Sequence, residues 1–130
     1  MKGLIIAGLL SFGMLVNAQN NVEAFSKSYV AESNQEYNEA IKVLQETKED
    51  SYAVNLRLGW LFYSSGDYIK SKAHYQKAMD MEKSSIEAIL GMAYPVSAMG
   101  NWTEVVDLYK KGLAIDPNNS TLLYRIAYVQ

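Results

Sequence analysis

The chain has 130 residues, of which 49% are hydrophobic, with ten tyrosines, one histidine and no cysteine. Twelve basic against fourteen acidic side chains leave a formal net charge of −2, which excludes the basic stripe of a generic nucleic-acid binder. The lack of cysteine excludes disulfides, thiolate zinc sites, cysteine nucleophiles and a lipid-bearing cysteine near the N-terminus. One histidine cannot build a histidine metal cluster, so neither metal nor cofactor is expected. The length is that of one ordinary domain, with enough apolar content for a core.

Residues 1–18 differ from everything after them. Lys2 gives a basic start, residues 3–16 carry no charge, and Val16-Asn17-Ala18 sets small or modest side chains three and one residues before a cut. That order is the pattern of a secretory signal peptide. A membrane anchor or a first core helix is the competing reading, but spanning a bilayer takes about 20 apolar residues and this run has 14. Membrane contact is therefore expected only through this segment while it is uncleaved. Cleavage after Ala18 removes Lys2 and leaves 11 − 14 = −3. The expected location is outside the cytoplasm, in a periplasm or cell envelope or secreted, with stability coming from packing alone.

From residue 35 onward the chain repeats itself every 34 residues. Leu58, Gly59 and Trp60 align with Met92, Ala93 and Tyr94, and these with Ile126, Ala127 and Tyr128. Gly66-Asp67-Tyr68 aligns with Gly100-Asn101-Trp102, Tyr75 with Tyr109, and Met81 with Ile115. Tyr37-Asn38-Glu39-Ala40-Ile41 echoes the stretch from Tyr68 at a spacing of 31. Such fixed-period similarity marks a stacked repeat. Each unit reads as two helices, because Val54, Leu58, Leu61 and Phe62, then Ile69, Ala73, Ala78 and Met81, recur at helical spacing. Gly66 and Gly100 break the chain between them, Asp67 and Asn101 can cap the second helices, and Glu104 is placed to complete a capping box. Pro117 ends a unit, and Asn119 or Ser120 can cap the next.

These features resemble the tetratricopeptide repeats. The resemblance rests on Leu58, Gly59, Phe62, Gly66, Tyr68, Tyr75 and Ala78 in one unit, and on Met92, Ala93, Gly100, Trp102, Tyr109, Asp116 and Pro117 in the next. Departures are mild: Asn55 stands where the family often has Trp, Ser71, Val105 and Gly112 replace small alanines, and Lys83 replaces the linker proline. The resemblance implies an all-α, right-handed solenoid of antiparallel helix pairs, about 2.5–3 units over residues 35–130, with the last unit incomplete. Residues 19–34 fit as a degenerate N-terminal helix, preceded by the signal peptide. Gly59 and Ala93 are expected to be small because neighbouring helices approach closely there, with Tyr75 and Tyr109 filling the space between units.

No catalytic constellation, phosphate loop or nucleophile elbow appears, and no enzyme is expected. His74 reads as a solvated surface residue, and the acids of residues 36–50 as a solvated face. In the family, first helices line a concave groove. By position, this groove presents Leu56, Trp60 and Tyr63 from one unit, Leu90 and Tyr94 from the next, and Tyr124 and Tyr128 from the partial one. Large amphipathic rings on an open wall are the residue types that anchor interfaces. The other reading is that these rings pack helix to helix or are covered by further chain. A clamp for acidic tails is disfavoured, because its seats hold Leu56, Trp60, Leu90 and Tyr94, with Arg57 the nearest cation. Pro95 inside a helix predicts a kink, with Gly91 tolerating the ring four residues on. The last helix is expected to turn Leu123, Ile126 and Ala127 inward, and its bare outer side favours a fragment of a longer array. The expected function is an exported protein–protein interaction scaffold for a peptide or protein, with no nucleic acid and no small-molecule substrate. Alternatives are a self-associating structural repeat (a homo-oligomer) or an accessory domain of a larger envelope protein continuing beyond residue 130.

Overall fold

The computed structural model describes the backbone of residues 2–130 and the side chains of residues 13–130. Met1 and the side chains of residues 2–12, which hold the basic start and most of the apolar run of the expected signal segment, lie outside the described residues. Among the described residues there are seven helices and no strand: α1 (Lys2–Ser33), α2 (Tyr37–Gln45), α3 (Tyr52–Ser65), α4 (Tyr68–Met81), α5 (Ile86–Ala98), α6 (Trp102–Ile115) and α7 (Ser120–Val129). They form two compact units, Met1–Glu49 and Asp50–Gln130.

In the first unit α1 packs on α2. Ala24, Ser28 and Ala31 recur at helical spacing on α1 and are buried, as are Ala40, Ile41 and Leu44 of α2. Residues 13–20 are exposed, and among the described residues the packed part of α1 lies beyond Ala18, which is inside the helix. No helix of the described residues is long and apolar enough to cross a membrane.

In the second unit each helix packs on the next from α3 to α7, and α3 also meets α5. Seats 34 residues apart are equivalent: Val54, Ala88 and Leu122 are all buried on the first helices. The turns follow their chemistry. Gly66 and Gly100 close α3 and α5 with φ of 89° and 75°, a left-handed backbone that costs glycine little. Asp67 accepts from the Lys70 amide at 3.1 Å, and Asn101 from the Glu104 amide at 3.3 Å. Ser51, Ser85 and Asn119 cap α3, α5 and α7 in the same way. The expected capping box departs from its usual form. The Asn101 amide already donates to the Val96 carbonyl, so Glu104 accepts instead from the Asn101 side-chain amide and from Lys72 of α4.

Tyr75 of α4 is the central wedge. Its ring is 3% exposed and lies between Gly59 of α3 and Gly91 of α5. A Cβ at Gly59 would stand 2.7 Å from Cδ2 of that ring, and one at Gly91 would run into Cε1, with Cζ at 2.7 Å. Gly91 is thus explained by a ring from another helix as well as by the proline four residues on. Pro95 itself is buried, and α5 runs through it as one helix.

Two expectations are corrected. On α7 it is Leu122 that points inward, whereas Leu123 is 46% exposed and Ala127 is exposed; only Ile126 of the expected trio is half-buried against the core. Positions 123 and 127 match Ile89 and Ala93 of α5, which are buried in the core. His74 is not a bare surface residue. It is half-buried, stacked on Phe62 with centroids 5.3 Å apart at 8°, and its Nδ1 lies 2.9 Å from Asn55 Oδ1. Asn55 is itself buried where the family often has Trp, and its amide nitrogen donates to Asp50 Oδ1 and the Ser51 carbonyl. Its oxygen is therefore left to accept the His74 Nδ1 hydrogen.

Burial, then Lys77 and Lys70, lower the His74 pKa against the opposing pull of Asp50. The native state thus resists a proton that the unfolded chain takes up near its ordinary value of about 6.5. This contribution to stability is present above that value and is lost as pH falls through it toward the depressed native one. Denaturant midpoints at about pH 7.5 and about pH 5 are expected to differ more for the natural chain than for His74→Gln. Equal pH dependence in the two chains refutes this role for His74.

Candidate partner-binding face

The first helices of the second unit carry Leu56, Trp60 and Tyr63 on α3, Leu90 and Tyr94 on α5, and Tyr124 and Tyr128 on α7. Spacings of three and four residues keep each set on one side of its helix. Equivalent seats align these sides across the stack. The structure brings three of the rings into one cluster: Trp60 and Tyr94 meet edge-on at 5.8 Å, Trp60 and Tyr63 at 5.6 Å, and Tyr63 and Tyr94 at 5.4 Å. Centroid separations of this size and tilt are favourable for ring pairs. Tyr68, the first residue of α4, joins the cluster through Tyr63 at 5.8 Å. Trp60 and Tyr94 remain 37% and 38% exposed, so the cluster is packed on one side and open on the other. Leu56 and Leu90 are half-buried and pack against the core beneath it.

Tyr124 and Tyr128 form a separate pair, with centroids 6.2 Å apart and exposures of 70% and 83%. Between them and Tyr94 lies a cavity of about 260 Å³, also lined by Ala93, Ser97, Tyr109, Arg125 and Val129. Arg125 sits over the Tyr94 ring at 5.2 Å and donates to the Tyr94 hydroxyl at 3.1 Å. It has no carboxylate partner among the described residues. Arg57, the cation nearest the face in sequence, is buried.

Tyr68, Tyr109 and Arg125 are the face residues that sequence reasoning missed. Tyr68 reads as a signature position of the second helix, and Tyr109 as a spacer. For Arg125 a signal does exist: it occupies the seat of Gly91 one repeat later. Tyr75 has Gly91 beside its ring, whereas the equivalent Tyr109 has Arg125. The face is therefore rich in rings and hydroxyls, poor in charge, and carries one guanidinium at its α7 end.

Residues 52–85, which are α3, α4 and the linker after them, match the tetratricopeptide repeat family model. No curated protein matches the chain at a significant level. Among solved structures, the TPR domain of Arabidopsis OM64 has a TM-score of 0.74 at 15% identity, over 88% of this chain and 97% of that one. The second TPR domain of human RPAP3, solved in complex with the HSP70 peptide SGPTIEEVD, has a TM-score of 0.74 at 10% identity, over 87% and 97% of the two chains. The Sgt2 TPR domain from Aspergillus fumigatus gives 0.73 at 14% identity, over 84% and 76%. At these identities the likeness is one of fold: the helices have the architecture of a tetratricopeptide-repeat domain.

Proposed function

We propose that this protein is an interaction scaffold that holds a segment of a protein partner on the face built from Leu56, Trp60, Tyr63, Leu90, Tyr94, Tyr124 and Tyr128. The observation that carries the reading is the open ring cluster of Trp60, Tyr63 and Tyr94 beside the cavity under Tyr124 and Tyr128. Exposed rings backed by a packed core bury much area on binding at little entropic cost. A domain of the same fold, that of RPAP3, was solved holding a peptide. That peptide ends in acidic residues, whereas the seats here carry rings. Apolar contact and hydroxyl hydrogen bonds, rather than a row of cations, would hold the segment.

The site of action in this reading is the periplasm or cell envelope, or the exterior. Residues 1–18 support it by their order of basic start, apolar run and small-residue cut. The packing of α1 is compatible with that cut, because among its described side chains the buried ones lie from Ala24 onward. The intact mass of the exported protein is expected to be that of a chain starting at Gln19. No catalysis, cofactor or nucleic acid is part of the proposal.

The test is capture of partners from an envelope extract by the natural chain and by Trp60→Ala plus Tyr94→Ala. Truncating a central ring typically loses about 2 kcal/mol, or roughly 30-fold in affinity. The double variant should recover little at a temperature where its melting curve shows it still folded. Equal recovery by both chains overturns the assignment. A self-associating repeat is the second reading, favoured by the exposed Leu123, Tyr124 and Tyr128 of one helix. A monomer mass by light scattering that does not change with concentration removes it.

A further inference from the structure

We propose that the exported chain is modified at Gln19, whose freed α-amine closes on its own side-chain amide to form an N-terminal pyroglutamyl ring. The inference rests on the export reading, in which the cut after Ala18 makes Gln19 the first residue. In that position one residue holds both the nucleophile and the acyl group. The uncharged form of the amine is present near neutral pH, because an α-amino group titrates at about 8. Its nitrogen attacks Cδ. The N–Cδ bond forms, the Cδ–Nε2 bond breaks, and the departing nitrogen leaves as ammonia with the proton the amine gives up. No oxidant and no second substrate is consumed. The product ring has five members, whereas an asparagine in first place, such as Asn20 or Asn21, would need a ring of four.

The structure leaves Gln19 free to react. Its side chain is exposed, and its amide has no hydrogen-bond partner among the described residues that would hold it away from the new end. Among the described side chains of α1 the buried ones lie from Ala24 onward, so the first turn of the shortened helix can open without disturbing the packing on α2. Charge favours closure as well. A chain starting at Gln19 sets an ammonium at the N-terminal end of a helix, where unmatched amides already make the potential positive. The first acid is Glu23, and Lys27 already pairs with its carboxylate at 2.6 Å. Closure removes the ammonium. It leaves a proline-like ring, which the first position of a helix accepts. It also denies aminopeptidases a free amine at an end where residues 19 and 20 are exposed.

The test uses the full chain, residues 1–18 included, produced in a secreting bacterial host and recovered from outside the cytoplasm, beside Gln19→Asn and Gln19→Ala. Tandem mass spectrometry of the N-terminal peptide should place the natural chain one ammonia below the open chain from Gln19. Edman degradation of it should be blocked, and pyroglutamyl aminopeptidase should lift the block so that Asn20 is read first. Both variants should read their own residue 19 untreated and lose N-terminal residues to an aminopeptidase that leaves the natural chain intact. A free amine on Gln19 overturns the ring and leaves the export reading standing. So does a block that persists in both variants, because its source is then another group. A first residue other than Gln19 overturns the ring together with the cut site. A recovered chain that still carries residues 1–18 removes the signal-peptide reading and the ring at once.

Discussion

Tyr75→Ala is expected to lose about 3–5 kcal/mol of stability, a large share of the 5–15 kcal/mol of a typical domain. The ring is buried where α3, α4 and α5 meet, and both its edges rest on glycines. Removing it leaves a void that backbone on both sides cannot collapse to fill. The same enclosure makes the reverse change harmful. In Gly91→Ala the new methyl runs into a ring that Gly59 stops from retreating, an overpacking expected to cost about 1–3 kcal/mol. The two defects share one cause and should not add. With the ring gone, the methyl of Gly91→Ala has free space, so the double variant is expected to be no less stable than Tyr75→Ala alone. Urea denaturation of the four chains measures this, and strict additivity refutes the wedge.

The repeat units were legible because their signals are local. Gly66 and Gly100 at left-handed positions, and Asp67, Asn101 and Asn119 as caps, act within a few residues of themselves, and the 34-residue period then places each helix beside its equivalent. The purpose of Gly91 was not legible in the same way. Sequence neighbours pointed to Pro95, but the constraint comes from a ring 16 residues earlier that only the folded stack brings into contact. Asn55 and His74 show the same limit. An asparagine in a Trp seat reads as a departure until His74 from the next helix is found stacked on Phe62 and bonded to its oxygen.

The face was legible as a set of seats, not as a set of contacts. Periodicity put Trp60 and Tyr94 on equivalent positions, and their rings do meet. It could not say that Tyr68 of a second helix would complete the cluster, or that Arg125 would fold back over Tyr94. Those depend on how far long side chains reach across helices. The inward side of α7 was misjudged for a related reason. Its seats at 123 and 127 are exposed although the equivalent Ile89 and Ala93 of α5 are buried, so burial there depends on neighbours and not on residue type.

Leu122→Ala is expected to release α7 while leaving α3 to α5 folded. Leu122 is the fully buried side chain of that helix, and it enters a notch made by Gly112 of α6, where a Cβ would lie 2.7 Å from its Cδ1. A leucine truncated in such a site loses about 2–5 kcal/mol. A ten-residue helix has almost no stability of its own to absorb that. Ile126 and Val129 also pack on the core, but both are only half-buried. Hydrogen exchange should therefore show residues 122–130 losing protection while the amides of α4 keep theirs. Loss of protection in α4 and α7 together overturns this independence. The functional consequence is specific: Tyr124, Arg125 and Tyr128 leave the cavity, so the α7 half of the proposed face is lost. Trp60, Tyr63 and Tyr94 stay clustered on α3 and α5, because none of their mutual contacts runs through α7. A variant that captures less partner than the natural chain, but more than Trp60→Ala plus Tyr94→Ala, separates the two halves of the face.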